Sequence, residues 1–211
     1  MNNEERLAEF VGIMLGDGSI GQYNTKVKDK IKIHRRVKVT LDSRNKEYIN
    51  YVATIMKEIL RVEPKVYFRK GENAVDISTY RKDALKFVIN VIGLKFSPKW
   101  NNMVVPEQLR KGKLGLMVLR GLFDTDGCLS MFNNNGTIYP RIEIRLSPSP
   151  AQEQINSILD EYDFHYKIQS QDKGKTRIRI SGINELNKWF ELIGSSNPIH
   201  IKKSQLFLNK V

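Results

Sequence analysis

The feature that most constrains this chain is a segment that occurs twice. Phe10-Val-Gly-Ile-Met-Leu-Gly-Asp-Gly18 returns far downstream as Leu119-Arg-Gly-Leu-Phe-Asp-Thr-Asp-Gly127. Each copy reads as an apolar helix ending in an acid and a glycine. Gly12 and Gly16 stand four apart, as do Gly121 and Thr125, so each helix carries small residues on one face. Two helices with such stripes can approach more closely than the usual ~8–10 Å. Glycine at 18 and 127 predicts a left-handed cap that stops each helix, because glycine takes positive φ without a Cβ penalty. Asp17 and Asp126 then stand at helix C-termini, where free carbonyls and the macrodipole already concentrate negative potential. If the small faces pack together, both carboxylates meet several carbonyl oxygens at one end of the pair. An all-oxygen site of that kind suits a hard divalent cation such as magnesium.

A single acid-glycine pair after an apolar helix is ordinarily only a turn. Two copies in matching context make a pattern, and the segments resemble the paired signature helices of the LAGLIDADG homing endonucleases, the single-chain type with two motifs. Gly12, Gly16, Asp17 and Gly18 match the first copy, and Gly121, Asp124, Asp126 and Gly127 the second. Leu15 departs from the pattern, which often has an acid there. The resemblance implies an α+β fold of two pseudo-twofold-related αββαββα repeats. Each would carry a four-stranded antiparallel DNA-binding sheet, and the two would be joined through the packed pair of motif helices. It implies Asp17 and Asp126 as catalytic metal ligands, the carbonyls of Gly16 and Thr125 as further ligands, and Mg2+ or Mn2+ as the cofactor. It also implies catalytic lysines near the scissile phosphates. Lys99, after Gly93-Leu-Lys-Phe-Ser-Pro98, is the candidate in the first repeat; Lys203, or its neighbour Lys202, is the candidate in the second. Where several relatives have a polar or basic residue at the end of the second strand, this chain has Leu41-Asp42 and Leu146-Ser147, and that part of the site is not carried over.

Charge points the same way independently. Lys and Arg number 35 against 23 Asp and Glu, a net of +12 over 211 residues, which favours a polyanionic partner. A membrane is the competing partner for a basic chain, but no apolar run approaches the ~18 residues of a spanning helix. The start, Met-Asn-Asn-Glu-Glu, lacks the basic opening of a secretory signal. A lone cysteine, Cys128, excludes an internal disulfide, fits a reducing interior and reads as a small packing residue. Together these predict an intracellular protein, in the cytoplasm of a prokaryote or in an organelle. His34, His165 and His200 are scattered, without zinc spacing.

Periodicity gives the order of elements. Residues 4 to 16 form the first helix. From Lys26 onward charge and hydrocarbon alternate, with Val27, Ile31, Ile33, Val37 and Val39 among Lys28, Lys30, Lys32, Arg36 and Lys38. A period of two means strands with one apolar and one basic face; at His34-Arg35-Arg36 the alternation slips, which predicts a bulge or turn. A helix over Tyr48–Leu60, a hairpin over 65–79 and a helix stopped by Gly93 complete the first repeat, 1–100. A connection, 101–113, leads to the second, 114–211, with a helix from 114, strands at 129–132 and 141–146, a helix from 151, a hairpin over 165–181 and a helix ending at Gly194.

The basic faces supply candidate DNA contacts: Lys28, Lys30, Lys32, Arg36 and Lys38 in the first repeat, and Arg141, Arg145, Lys167, Gln169, Arg177 and Arg179 in the second. Lysine gives salt-sensitive attraction to phosphates, whereas Arg and Gln on a ribbon in the major groove can pair with base edges. The reading is therefore a monomeric, site-specific endonuclease that cleaves duplex DNA to promote intron mobility. Its alternatives are an RNA maturase acting on intron RNA and a non-cleaving DNA-binding regulator on the same scaffold. An intein origin is disfavoured, because the chain opens with Met1 and closes with Asn209-Lys-Val211, without a terminal His-Asn.

Overall fold

In the computed structural model, which describes residues 1–28 and 30–208, the opening helix is fixed by its own first turn. The Asn2 side chain accepts from the Glu5 amide at 2.9 Å, and the Glu5 carboxylate accepts from the Asn2 amide at 3.3 Å. This reciprocal capping satisfies two donors that a helix start would otherwise leave free. Helix α1 (Asn3–Gly16) leads into β1 (Gly18–Val27), β2 (Lys30–Asp42), α2 (Lys46–Leu60), β3 (Lys65–Phe68), β4 (Ala74–Thr79) and α3 (Lys82–Lys86). A wider helical turn, Phe87–Ile92, prolongs α3 to Gly93, whose φ of 91° closes it. After a stretch with one short turn of 3₁₀ helix, Glu107–Leu109, come α4 (Gly112–Asp126), β5 (Gly127–Asn134), β6 (Thr137–Leu146), α5 (Ala151–Glu161), β7 (Tyr166–Ser170), β8 (Thr176–Ser181), α6 (Ile183–Leu192) and α7 (Pro198–Leu208).

The strands form two antiparallel sheets of matching order, β1-β2-β4-β3 and β5-β6-β8-β7. In the first, Ile20, Val37, Val39, Leu41, Val75 and Ile77 are buried under the helices, and Leu129, Ile142, Ile144, Leu146, Ile178 and Ile180 are buried in the second. Alternation along each strand therefore leaves the charged residues on the opposite face. The expected αββαββα order is present twice. Helix α7 is an addition to the second repeat that the sequence reading did not contain.

Several expectations are corrected. Gly18 and Gly127 are not left-handed caps: neither has positive φ, and each begins a strand. They are glycine for want of space, since a Cβ on Gly18 would lie 2.5 Å from the Met14 Cα and one on Gly127 2.8 Å from the Phe123 Cα. The first strand starts eight residues before Lys26, and Lys28 stands in the turn with φ 54°. No bulge interrupts 34–36, where His34, Arg35 and Arg36 pair in register with Tyr23, Gln22 and Gly21. Arg35 is in phase with the apolar residues, but there the hairpin projects beyond the helices that cover Val37. Cys128 is exposed, because it faces outward in register with Glu143. The side chain of Val27 and the end Asn209–Val211 lie outside the described residues.

Candidate active site and nucleic-acid face

The two motif helices touch backbone to backbone. A Cβ on Gly12 would lie 2.8 Å from the Leu122 amide nitrogen, and one on Gly121 would lie 2.7 Å from that of Ile13. Thr125 fills the space opposite Gly16 and turns its hydroxyl back to donate to the carbonyls of Gly121 and Leu122, at 2.9 and 3.1 Å. The small-residue stripes thus bring Asp17, the C-cap of α1, and Asp126, the last residue of α4, to the same end of the pair.

The electrostatics of that end follow from crowding. Burial raises the Asp17 carboxyl, the nearby charge of Asp126 raises it further, and Lys99 offsets only part, leaving it at about 6. Asp126 is the more open to solvent; the surrounding protein still pushes its carboxyl up, with Lys99 opposing. Burial also lowers the Lys99 ammonium against the pull of both acids. The Lys99 Nζ donates to the Leu15 carbonyl at 2.8 Å and to the Gly16 carbonyl, so a cation already occupies the negative end of α1. Lys203 is placed differently. Its Nζ reaches the Leu129 carbonyl on β5 at 3.4 Å, and of the two lysines only Lys99 bears on the charge of either aspartate. Lys202 is exposed on α7.

On the outward face of the first sheet lie Lys30, Lys32, Arg36 and Lys38, with Lys28 at the hairpin tip. Arg141, Arg145, Lys167, Gln169, Arg177 and Arg179 share the outward face of the second. Arg145 also lines, with Lys173 and Lys175, a recess of about 570 Å³ beside Asp126. Each face contains an acid at its centre that the sequence reading passed over. Asp76 accepts from Lys38 at 3.1 Å, Thr40 at 2.8 Å and Arg69 at 2.9 and 3.1 Å. Burial works upward on its carboxyl, but the hydrogen bonds from Arg69, Thr40 and Lys38 outweigh it and hold it at about 2. Glu143 accepts from the Arg179 Nε at 2.8 Å.

Residues 9–186 match the LAGLIDADG DNA endonuclease family. The chain belongs to that family. Among solved structures, I-DmoI in complex with DNA and Mn is similar at a TM-score of 0.64 and 20% identity, covering 92% of this chain and 99% of that one. I-LtrWI bound to its target DNA (0.67, 12% identity, 99% and 91%) and I-GzeII in complex with a DNA target (0.68, 10%, 94% and 87%) share the fold. A DNA polymerase of Thermococcus kodakarensis is 23% identical over 195 residues, which are 88% of this chain; the chain spans 11% of that relative's length.

Within this LAGLIDADG chain the two motif helices differ one residue before the Gly16/Thr125 contact. Leu15 is core, 4% exposed. Its counterpart Asp124 is equally buried but bonded: Ser195 donates to one carboxylate oxygen, the Ser196 amide to the other at 2.7 Å, and the Asn197 side-chain amide to the Asp124 carbonyl at 2.9 Å. A second link runs through Ser196, whose hydroxyl donates to Tyr51 at 3.1 Å, and Tyr51 donates to Glu9 of α1 at 2.8 Å. These bonds tie the segment after α6 to both motif helices. The Asp-Ser-Asn pattern carried no spacing signal, because the acid stands more than 70 residues before Ser195 and Asn197.

The donor set can be tested against a metal. Among the described residues no three His, Cys, Asp or Glu side chains converge. What the site offers is two carboxylates beside helix-end carbonyls, one of which already attracts an ammonium. That oxygen-only, incomplete set fits a hard divalent ion that keeps water and takes further oxygens from a bound phosphate. No helix among the described residues is long and apolar enough to cross a membrane.

Proposed function

We propose that the chain is a site-specific homing endonuclease. It binds a long duplex DNA target as a monomer, hydrolyses one phosphodiester bond in each strand with the help of Mg2+ or Mn2+, and so promotes the mobility of an intron inside a prokaryotic cell or an organelle. One observation carries this reading. Asp17 and Asp126 are held at one end of a single helix pair, and each helix runs directly into the first strand of a sheet with a basic outer face.

Phosphodiester hydrolysis needs a deprotonated water, relief of charge at the phosphate and stabilisation of the departing 3′ oxygen. Asp17 and Asp126, with the carbonyls of Gly16 and Thr125, would hold the cation, which when bound supplies charge neutralisation and water activation. The residues of the chain do the rest. Basic side chains on both sheets fix the duplex so that the two aspartates, one from each half, face one strand each, which yields a staggered double-strand break. Lys99 supplies a second positive charge beside both carboxylates. Neither aspartate acts as general base, because each is a ligand; the proton leaves to solvent. The two faces carry different residues, so the two half-sites of the target differ.

The test is to incubate the protein with duplex DNA spanning an intron insertion site, with and without Mg2+, and resolve the products by electrophoresis. Cleavage of both strands only in the presence of the cation is the expected result. Binding without cleavage in both conditions would turn the assignment to an RNA maturase or a DNA-binding regulator.

A further inference from the structure

A carboxylate at the centre of a surface built to meet phosphates opposes general DNA affinity, yet each sheet has one. The two acids do not hold equivalent places. With the pairs Gly18–Val39 and Gly127–Ile144 matched, Glu143 on β6 stands where the first sheet has Lys38, whereas Asp76 on β4, opposite Thr40, stands where the second sheet has Arg177, opposite Arg145. In the second sheet Glu143 Oε1 is approached by three guanidiniums: Arg179 Nε at 2.8 Å, Arg141 Nη1 at 3.9 Å and Arg177 Nη1 at 4.0 Å. Each guanidinium has a further support. Arg141 lies 3.5 Å over the Phe132 ring and donates to the Tyr139 hydroxyl at 2.9 Å, Arg179 donates to Gln169 at 3.2 Å, and Arg177 donates to Gln171 at 3.3 Å. The set is not self-satisfied, since the Nε atoms of Arg141 and Arg177 find no acceptor.

An arginine free to move takes the nearest phosphate, whereas one held in fixed orientation can present its fork to a base edge. We propose that Glu143 and Asp76 are specificity-determining positioning residues, Glu143 for the half-site met by the second sheet and Asp76 for the half-site met by the first. Each holds its basic neighbours in base-reading orientation and cancels charge that would otherwise bind any sequence. The inference rests on the DNA-binding reading above and adds to it a division of labour between two acids.

The test is a parallel selection of bound sites from a random duplex DNA library by wild type, Glu143→Gln and Asp76→Asn, with affinity for random duplex measured against salt. Wild type is expected to select one asymmetric site. Glu143→Gln should lose preference in one half only, by about tenfold per contacted base pair, and Asp76→Asn in the other half. Each should bind random duplex several-fold more tightly, with a log–log salt slope steeper by about 1. Glu143→Asp, which keeps the charge but shortens the reach, should restore the salt slope without restoring the preference. A variant that failed to fold is recognised by its loss of the wild-type unfolding transition and of affinity for random duplex, and Glu143→Asp, which keeps the charge, then serves in place of Glu143→Gln. Preference that is unchanged, or lost evenly across the site, overturns the inference while leaving the endonuclease reading intact; a wild-type protein that selects no sequence overturns both.

Discussion

The two repeats share one order of elements and one sheet topology, yet they solve the end of the motif helix in different ways. In the first, position 15 is a core leucine, and the helix end is met by Lys99, an ammonium reaching the Leu15 and Gly16 carbonyls. In the second, position 124 is a buried carboxylate held by Ser195 and the Ser196 amide, and the nearest candidate lysine, Lys203, turns to Leu129 instead. The comparison teaches that duplication preserved what makes the helices touch, while charge around the two aspartates was redistributed. The first half brings its cation to the acids; the second fastens its acid-bearing helix to the chain that follows.

The widest break in this comparison would come from exchanging the unlike residues. Leu15→Asp buries a carboxylate with no partner and should cost about 3–5 kcal/mol, whereas Asp124→Leu strands the Ser195 and Ser196 donors and should cost about 3 kcal/mol; denaturant unfolding measures both. Equal, small losses would mean that the two positions are not chemically distinct. Next in size, Gly121→Ala forces α1 and α4 apart and should lower stability by about 2–3 kcal/mol, with cleavage falling further than stability alone explains. A milder contrast separates the lysines. Lys99→Met should reduce the cleavage rate by about 100-fold, and Lys203→Met should change it by less than about threefold; similar effects would restore symmetry to the site.

The smallest effect is one of pH. Asp17 rises from 3.8 to about 6 on folding, so between those values the folded state holds a proton that the unfolded state has lost. Stability of the metal-free protein should therefore fall as pH rises from about 4 to about 6 and level off above, by on the order of 2 kcal/mol. Asp17→Asn, which leaves only the part that the raised carboxyls of Asp126 and Glu9 contribute, should make that slope shallower. Added Mg2+ should oppose it, because the cation favours the carboxylate, and unfolding curves at several pH values with and without Mg2+ would show both.

What the sequence disclosed was what repeats or alternates. The glycine stripes announced the helix contact, and period two announced basic faces opposite buried Val39 and Ile142. Other features were hidden for physical reasons. Strand β1 is largely polar, because much of it projects past the helices and has no apolar face to show. The need for Gly18 came from the crowding of Met14 and not from its backbone angle, and residue order shows no crowding. Glu143 is an isolated acid in a basic strand and Asp76 stands in a strand, β4, that has no Lys or Arg, so only the register shows the two at the centre of cation clusters. Lys99 could be nominated by resemblance, but its reach across 83 residues to the Gly16 carbonyl belongs to the folded chain.

The central claim is that two acids far apart in sequence serve one duplex, one for each strand. Strand-resolved cleavage by Asp17→Asn and Asp126→Asn, using a target labelled separately on each strand in the presence of Mg2+, tests it most directly. The account predicts that DNA affinity stays within a few-fold of wild type, while double-strand cleavage is lost in each variant and any residual product is a nick, in opposite strands for the two. Full double-strand cleavage by either variant would contradict it.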